Sequence, residues 1–192
     1  MPTVSSKYID DAIGAGAASL FKRLGYRKHG RKFYLVSELS TAHVRFQASQ
    51  WNHAGSTRFT INLGRYFVAI AQRNGEPVIL DPLKQKQMHV GIRIGHLLPE
   101  QGDHWWTIRT ANEVPAVSAE LVAAMRDYGL PYLNSVASVE GVAEFSGYIP
   151  GIGKNATLSK ASALDLLGRS KEAEEIRAQL TARGVMLHKD DK

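Results

Sequence analysis

The feature that most constrains the fold is a change in the spacing of apolar residues near position 25. Before it, apolar residues recur every three or four positions: Ile9, Ile13, Ala17, Leu20, Phe21 and Leu24. This spacing predicts an amphipathic helix over residues 6–24, which Gly25 ends. From Arg31 onward, apolar residues alternate with polar ones, the pattern of a strand with one buried face.

Four segments carry the alternating pattern and predict an antiparallel sheet: KFYLVSEL, HVRFQASQW, RFTINLGRYF and MHVGIRIG. Helical spacing returns after Thr110, and a pair of short helices is predicted over about residues 157–167 and 170–183. The predicted class is α+β. An N-terminal helix packs on an antiparallel sheet of about four or five strands, followed by helices and a C-terminal helical hairpin.

The outward positions of the predicted sheet supply candidate residues for binding a ligand or partner: Arg45, Gln47, Asn62 and Arg93. His43, Thr60 and His89 are expected on the same face. Such a set of amides and guanidinium groups suits an acidic or amide-rich ligand. An ordinary solvated sheet face is the alternative, and so is hydrogen bonding of the two amides to backbone at a sheet edge.

Tryptophans supply two further candidates, Trp51 and Trp106. Trp105 and Trp106 are adjacent, so on a strand they point to opposite faces. One of the two is expected in the core. The other either covers the sheet or belongs to a binding surface, since tryptophan is frequent in interface hot spots.

A basic segment, KRLGYRKHGRK, holds six Lys or Arg among residues 22–32. Arg27, Lys28, Arg31 and Lys32 are therefore the candidates for an alternative function, binding of nucleic acid phosphates. The basic residues at the end of the predicted helix also have a structural explanation, because the helix dipole favours cations at the C-terminus of a helix.

The chain as a whole is basic, with a formal net charge of +6. The excess lies in residues 1–110, which hold 15 Lys or Arg and 7 Asp or Glu. An acidic partner explains this asymmetry, as does ordinary surface charge. Cysteine is absent, and the first residues lack a basic and apolar leader pattern. We therefore expect a cytoplasmic protein that does not bind membranes.

The segment YIPGIGKN contains Gly153 and Lys154 but does not fit a phosphate-binding loop. The first glycine of that motif belongs at position 148, which is Tyr148, and the hydroxyl residue after the lysine is replaced by Asn155. Metal-binding histidine spacings and a Gly-x-Ser-x-Gly motif are also missing. We predict no cofactor, no metal and no catalytic residue, and we favour a binding protein over an enzyme. An enzyme with a site on the polar sheet face is the remaining alternative.

A series of short sequence motifs resembles those of a bacterial family known only as domain of unknown function 4304. They are Gly25-Tyr26, Gly30-Arg31-Lys32-Phe33, Phe46-Gln47, Trp51-Asn52, Phe59 to Gly64, Arg93-Ile94-Gly95 and Asp103 to Trp106. The resemblance covers about residues 6–135 and implies no reaction. It supports a boundary between an α+β domain, residues 1–147, and a hairpin appendage, residues 148–192. By analogy with suspected protective partners of toxins in this family, we expect a non-enzymatic interaction module, with an immunity-like role toward an acidic protein as its specific form.

Overall fold

The computed structural model describes residues 4–53, 55–145 and 155–182. The predicted N-terminal helix is present in two parts, α1 (Val4–Ala12) and α2 (Ala18–Arg23), joined by a π-helical turn, Ile13–Ala17. Gly25 follows with φ of +81°, a conformation that suits glycine and ends the helix. The segment with Gly153 and Lys154, and the predicted boundary at residue 147, lie outside the described residues.

Six strands form one sheet: β1 (Arg27–His29), β2 (Lys32–Val36), β3 (Ser40–Ala48), β4 (Thr57–Phe67), β5 (Val90–Arg93) and β6 (Trp106–Ile108). Their order is β1-β2-β3-β4-β5, and β6 also pairs with β4. The register of β4 and β6 is antiparallel, with Thr57 opposite Ile108 and Phe59 opposite Trp106. The predicted α+β class and antiparallel sheet are confirmed.

The remaining helices are α3 (Val68–Arg73), α4 (Val114–Ala124), α5 (Leu130–Ser135), α6 (Val139–Glu144), α7 (Asn155–Leu166) and α8 (Ser170–Ala182). A second π-helical turn, Met125–Gly129, separates α4 from α5. Short 3-10 turns occur at Ile94–His96 and Ala111–Glu113. Within the described part of the chain, no helix combines the length and apolar character needed to cross a membrane.

The chain forms two compact units. The first draws its described residues from Met1–Val36, His43–Leu63 and Arg93–Leu133. Here α1 and the adjoining π-helical turn pack against α4, and α4 contacts β6. Buried side chains of this unit include Ile9, Phe21, Phe59, Ile61 and Leu121.

The second unit draws its described residues from Ser37–Ala42, Gly64–Ile92 and Asn134–Lys192. In it, α7 packs against α8, α6 and α3. Leu164 and Leu180, two apolar positions of the predicted hairpin, are buried here. The hairpin therefore shares a unit with residues 64–92.

Candidate functional site

A row of aromatic side chains crosses the sheet in the first unit and determines which residues face outward. Phe33, Phe46, Phe59 and Trp106 come from β2, β3, β4 and β6. Their neighbouring ring centroids are 5.9, 6.5 and 5.9 Å apart. Phe21 of α2 lies 4.6 Å from Phe33 and covers one end of the row. Since strand side chains alternate between faces, the residues between these aromatics belong to the opposite face.

Trp106 is therefore a core residue, with only 4% of its surface exposed. Its place is set by the pairing of β6 with β4, which stacks the indole ring on Phe59. Trp106 was our candidate for a binding surface, and its burial leaves that role to its neighbour. Trp105 takes the more exposed position, as expected for adjacent residues on one extended segment.

Trp105 is surrounded by charged groups. The guanidinium carbons of Arg93 and Arg58 lie 5.2 and 5.8 Å from the ring centroid, within the range of a cation–π interaction. The indole Nε1 donates a 2.9 Å hydrogen bond to Asp103 Oδ2, and Arg93 Nη1 donates a 2.5 Å bond to Asp103 Oδ1. Hydrogen bonds from Arg93 and then Trp105 lower the pKa of Asp103, so this carboxylate is charged at neutral pH.

The loop that carries Trp105 is closely packed. Gly102 lies against Gly95, because the Gly102 amide donates a 3.2 Å hydrogen bond to the Gly95 carbonyl. A side chain at Gly95 would overlap backbone atoms of Gly102 and His104, so only glycine fits there. On the sheet side, Thr60 Oγ1 donates a 2.9 Å hydrogen bond to the His104 carbonyl. These contacts hold Trp105 in one position relative to β4.

Two of the predicted amides meet on neighbouring strands. Asn62 Nδ2 donates a 2.7 Å hydrogen bond to Gln47 Oε1. Gln47 is exposed and Asn62 is half-buried. The contact uses one donor of Asn62 and the acceptor of Gln47, so the amide group of Gln47 retains donors for a ligand. Arg45, two residues earlier on β3, is half-buried, and burial lowers its pKa.

Trp51 lies on the connection between β3 and β4 and is 80% exposed. Its neighbour Asn52 accepts a 2.7 Å hydrogen bond from the Arg58 amide and donates a 2.9 Å bond to the Arg58 carbonyl. The Asn52 side chain thus makes the two backbone hydrogen bonds that a neighbouring strand residue would make, and it holds the connection against Arg58. Trp51 N–H adds a 3.1 Å bond to Ser49 Oγ.

We call Trp51, Arg58, Arg93, Asp103 and Trp105 the Trp–Arg surface. The sequence pattern pointed to Trp51 and Arg93 but missed the other three. Arg58 precedes the buried Phe59, so the alternation along β4 was a signal that could have identified it as an outward residue. Trp105 was missed because the pattern alone does not decide which of two adjacent tryptophans faces the core.

The basic segment forms part of the sheet edge. Arg27 and Lys28 lie on β1, at one end of the strand order, and both are exposed, as is Lys32 on β2. Arg31 is bound by Asp10 through two hydrogen bonds of 2.6 and 3.0 Å. Basic residues on an edge strand discourage pairing with other chains, which is a structural reason for this charge. Binding of nucleic acid there stays a prediction.

His89 was predicted on the outward face of the sheet, but the structure shows it buried. Its ring is enclosed by contacts within the second unit. Phe67 N–H donates a 2.9 Å bond to Nδ1, so Nε2 carries the proton toward Glu76 Oε2 at 3.2 Å. Burial lowers the pKa of His89, while Glu76 works in the opposite direction. Both ring nitrogens have partners, so the imidazole is not placed to take a proton from a substrate. Among residues 4–53, 55–145 and 155–182, no group of His, Asp and Glu is arranged to hold a metal ion.

A family model described as Domain of unknown function (DUF4304) matches residues 17–135, more than half of the chain. The match includes every residue of the Trp–Arg surface and ends before α7 and α8. No curated protein and no solved structure matches the chain.

Proposed function

The chain belongs to the DUF4304 family, and we propose that it is a protein-interaction module whose partner binds the Trp–Arg surface. The observation that carries the proposal is the position of Arg58 and Arg93 over the ring of Trp105. The exposed Trp51 lies on the connection whose Asn52 bonds the Arg58 backbone. Tryptophan and arginine are the residue types most enriched in interface hot spots. A ring held by cation–π contacts and a hydrogen bond loses little conformational entropy on binding.

The charges of this surface favour an acidic partner. Asp103 neutralises Arg93, since it is bonded to that guanidinium group. For Arg58, the described residues show no carboxylate within ion-pair distance. The positive charge of Arg58, beside Trp105, therefore stays available to a carboxylate of the partner, and the amide donors of Gln47 lie on the same face of the sheet.

An immunity-type role is the specific form of this proposal. A protein that neutralises an acidic partner needs a rigid, positively charged surface rather than a catalytic cleft. The fixed loop beneath Trp105 and the Asn52–Arg58 contact supply that rigidity. The basic excess of residues 1–110, eight charges from 15 Lys or Arg and 7 Asp or Glu, supports attraction of an acidic protein over longer distance.

The test begins with capture of partners from the source cells on the immobilised full chain. The captured protein is then purified, and its affinity is measured by calorimetry. We expect an acidic protein, with affinity that falls as salt rises. Arg58→Glu and Trp51→Ala should each weaken binding by about tenfold or more.

Lys171→Glu is the matched control, because it makes the same change of charge at an exposed position on α8. It should leave the affinity unchanged. If Arg58→Glu and Trp51→Ala bind the captured protein as tightly as the wild type does, the Trp–Arg surface is not the interface.

A further inference from the structure

The hairpin formed by β1 and β2 carries two cations and two planar rings on one face. Arg27 lies opposite Tyr34, and His29 lies opposite Lys32. Residues paired across two strands point to the same side of a sheet, and so do residues two apart along one strand. The four side chains therefore lie together, and we call them the hairpin face. Arg27, His29 and Lys32 are exposed, and Tyr34 is half-buried.

The opposite face of the hairpin belongs to the core. Lys28 is paired with Phe33 there, and the Phe33 side chain is buried against the ring of Phe21 on α2. Lys28 Nζ lies 5.8 Å from the centroid of the Phe33 ring, so its charge is on the same side as α2. The hairpin face is therefore the side of the hairpin that α2 does not cover.

Contacts at the turn fix the position of the hairpin. Gly30 and Arg31 connect the two strands, and Gly30 has a φ of +56°, which suits a short hairpin turn. Arg31 donates hydrogen bonds of 2.6 and 3.0 Å to the carboxylate of Asp10 on α1. The Phe46 amide of β3 donates a 3.0 Å bond to the Arg31 carbonyl. A surface held from two sides loses little conformational entropy when it binds a ligand.

The charge of this part of the chain is almost entirely positive. Residues 12–75 contain ten Lys or Arg and one acidic residue, Glu38. Within the part of the chain that the structure describes, neither Arg27 nor Lys32 has a carboxylate at ion-pair distance. Protection of the sheet edge explains Arg27 on β1 but not Lys32, because β2 lies between β1 and β3. Both cations are thus available to an anionic ligand.

We propose that the hairpin face binds single-stranded nucleic acid. Arg27 and Lys32 contact phosphates, and the rings of Tyr34 and His29 stack on unpaired bases. Each cation is paired across the strands with a ring, so one nucleotide can meet a phosphate contact and a stacking partner together. The proposal goes beyond the Trp–Arg surface, because it concerns other residues and a polynucleotide rather than a protein.

The charge of the hairpin face favours a polynucleotide over an acidic protein. An acidic protein still carries lysines and arginines, and a surface that fits it offers carboxylates as well as cations. A phosphodiester backbone carries negative charge alone. The hairpin face matches the second pattern, because its four residues include two cations and no carboxylate.

The rings favour a single strand over a duplex or a membrane. Bases of a duplex stack on one another, which leaves Tyr34 and His29 without a stacking partner, whereas bases of a single strand are accessible. Anionic lipids attract the same cations, but binding to a membrane surface also requires apolar side chains that insert into it. The hairpin face contains no aliphatic side chain.

The experiment measures binding of fluorescent single-stranded RNA and DNA to the full chain by anisotropy at several salt concentrations. The oligonucleotides share one mixed sequence of about 16 nucleotides. We expect a dissociation constant of about 100 µM or tighter at about 0.15 M salt. The double variant Arg27→Gln/Lys32→Gln should weaken binding by about tenfold or more. It should also flatten the slope of log affinity against log salt by about 1.4, because two phosphate contacts are lost.

Further variants separate stacking from charge. Tyr34→Leu should weaken binding by about tenfold and leave the salt slope unchanged, whereas Tyr34→Phe keeps the ring and should bind as the wild type does. The control is Lys7→Gln/Lys171→Gln, which makes the same change of net charge at exposed positions of α1 and α8. It should leave affinity and slope unchanged. Thermal unfolding confirms that each variant is folded, and the double variant at Arg27 and Lys32 changes only exposed side chains.

Several results would overturn the proposal: affinity weaker than about 100 µM for both oligonucleotides, a double variant that binds like the wild type, or Tyr34→Leu with unchanged affinity. Tighter binding of a duplex of the same sequence would overturn it as well. So would sedimentation with phosphatidylcholine–phosphatidylserine vesicles that depends on Arg27 and Lys32 while neither oligonucleotide binds. A preference for one of the two oligonucleotides identifies RNA or DNA as the ligand. Failure here leaves the Trp–Arg surface standing, because that surface is judged by Arg58→Glu and Trp51→Ala.

Discussion

Arg73 on α3 donates a 2.8 Å hydrogen bond to Asp165 on α7, whose side chain is only 5% exposed. The residues are 92 positions apart, so the contact ties the C-terminal hairpin to the segment that follows β4. Arg177 of α8 donates to the same carboxylate oxygen. Asp165 therefore joins three helices of the second unit through one charged group.

Asp165→Asn should lower the free energy of unfolding by about 1–2 kcal/mol, because two charge-assisted hydrogen bonds become weaker ones. Chemical denaturation at neutral pH measures the change. Asp127→Asn is the control, since Asp127 pairs with the adjacent Arg126 on the surface and should contribute little. Equal stability of Asp165→Asn and the wild type would show that the contact is not a structural tie.

Stability should fall as the solution is acidified from neutral pH, and His89 should account for part of the fall. Burial lowers the pKa of His89 in the folded chain, with Glu76 opposing it. The unfolded chain, with a histidine pKa of about 6.5, therefore takes up a proton before the folded chain does. The contribution of neutral His89 is fully present above that value and is lost as pH falls through the folded pKa. In urea denaturation across this range, His89→Gln should show a shallower dependence on pH. Parallel curves for the two proteins would contradict this assignment.

Gly95→Ala should destabilise the loop beneath Trp105. The added carbon would overlap the Gly102 carbonyl and the His104 amide, which are backbone atoms that cannot turn away. We expect a loss of about 1–3 kcal/mol in the free energy of unfolding and weaker binding at the Trp–Arg surface.

Gly14→Ala provides the comparison, because nothing beyond its chain neighbours and the backbone of its own helix lies within 4 Å of the added carbon. It should leave stability unchanged or raise it by up to about 1 kcal/mol. A Gly95→Ala protein as stable as Gly14→Ala would mean that the loop rearranges easily.

Apolar spacing predicted the elements because burial of one face determines the period of each. Ile9, Phe21 and Leu164 occupy core positions for that reason. Spacing did not predict how the strands align. Either Trp105 or Trp106 satisfies the alternation, and pairing of Trp106 with Phe59 decides between them.

Polar contacts between residues that are distant along the chain could not be predicted from the sequence either. His89 fits the outward positions of an alternating strand, but β5 begins at Val90, and the Phe67 amide draws the imidazole inward. Likewise, the apolar leucines of the C-terminal hairpin predicted that its buried face packs against another surface. They did not identify Arg73 as the partner of Asp165, because charged residues occur at many surface positions.

A shortened chain ending at Gly147 should still fold cooperatively, with a lower thermal midpoint than the full chain. The first unit contains no residue of α7 or α8 and has its own aromatic core. In the second unit, the truncation removes the buried Leu164, the Arg73–Asp165 contact and the hydrogen bond from Ser162 to Asn74. Water can replace the polar partners of Arg73 and Asn74, so the loss should be one of stability rather than of fold. Thermal unfolding followed by circular dichroism, with light scattering to detect aggregation, measures both. A shortened chain that is insoluble or unfolds without a transition would place the hairpin in the core of the domain, and the predicted boundary at residue 147 would be wrong.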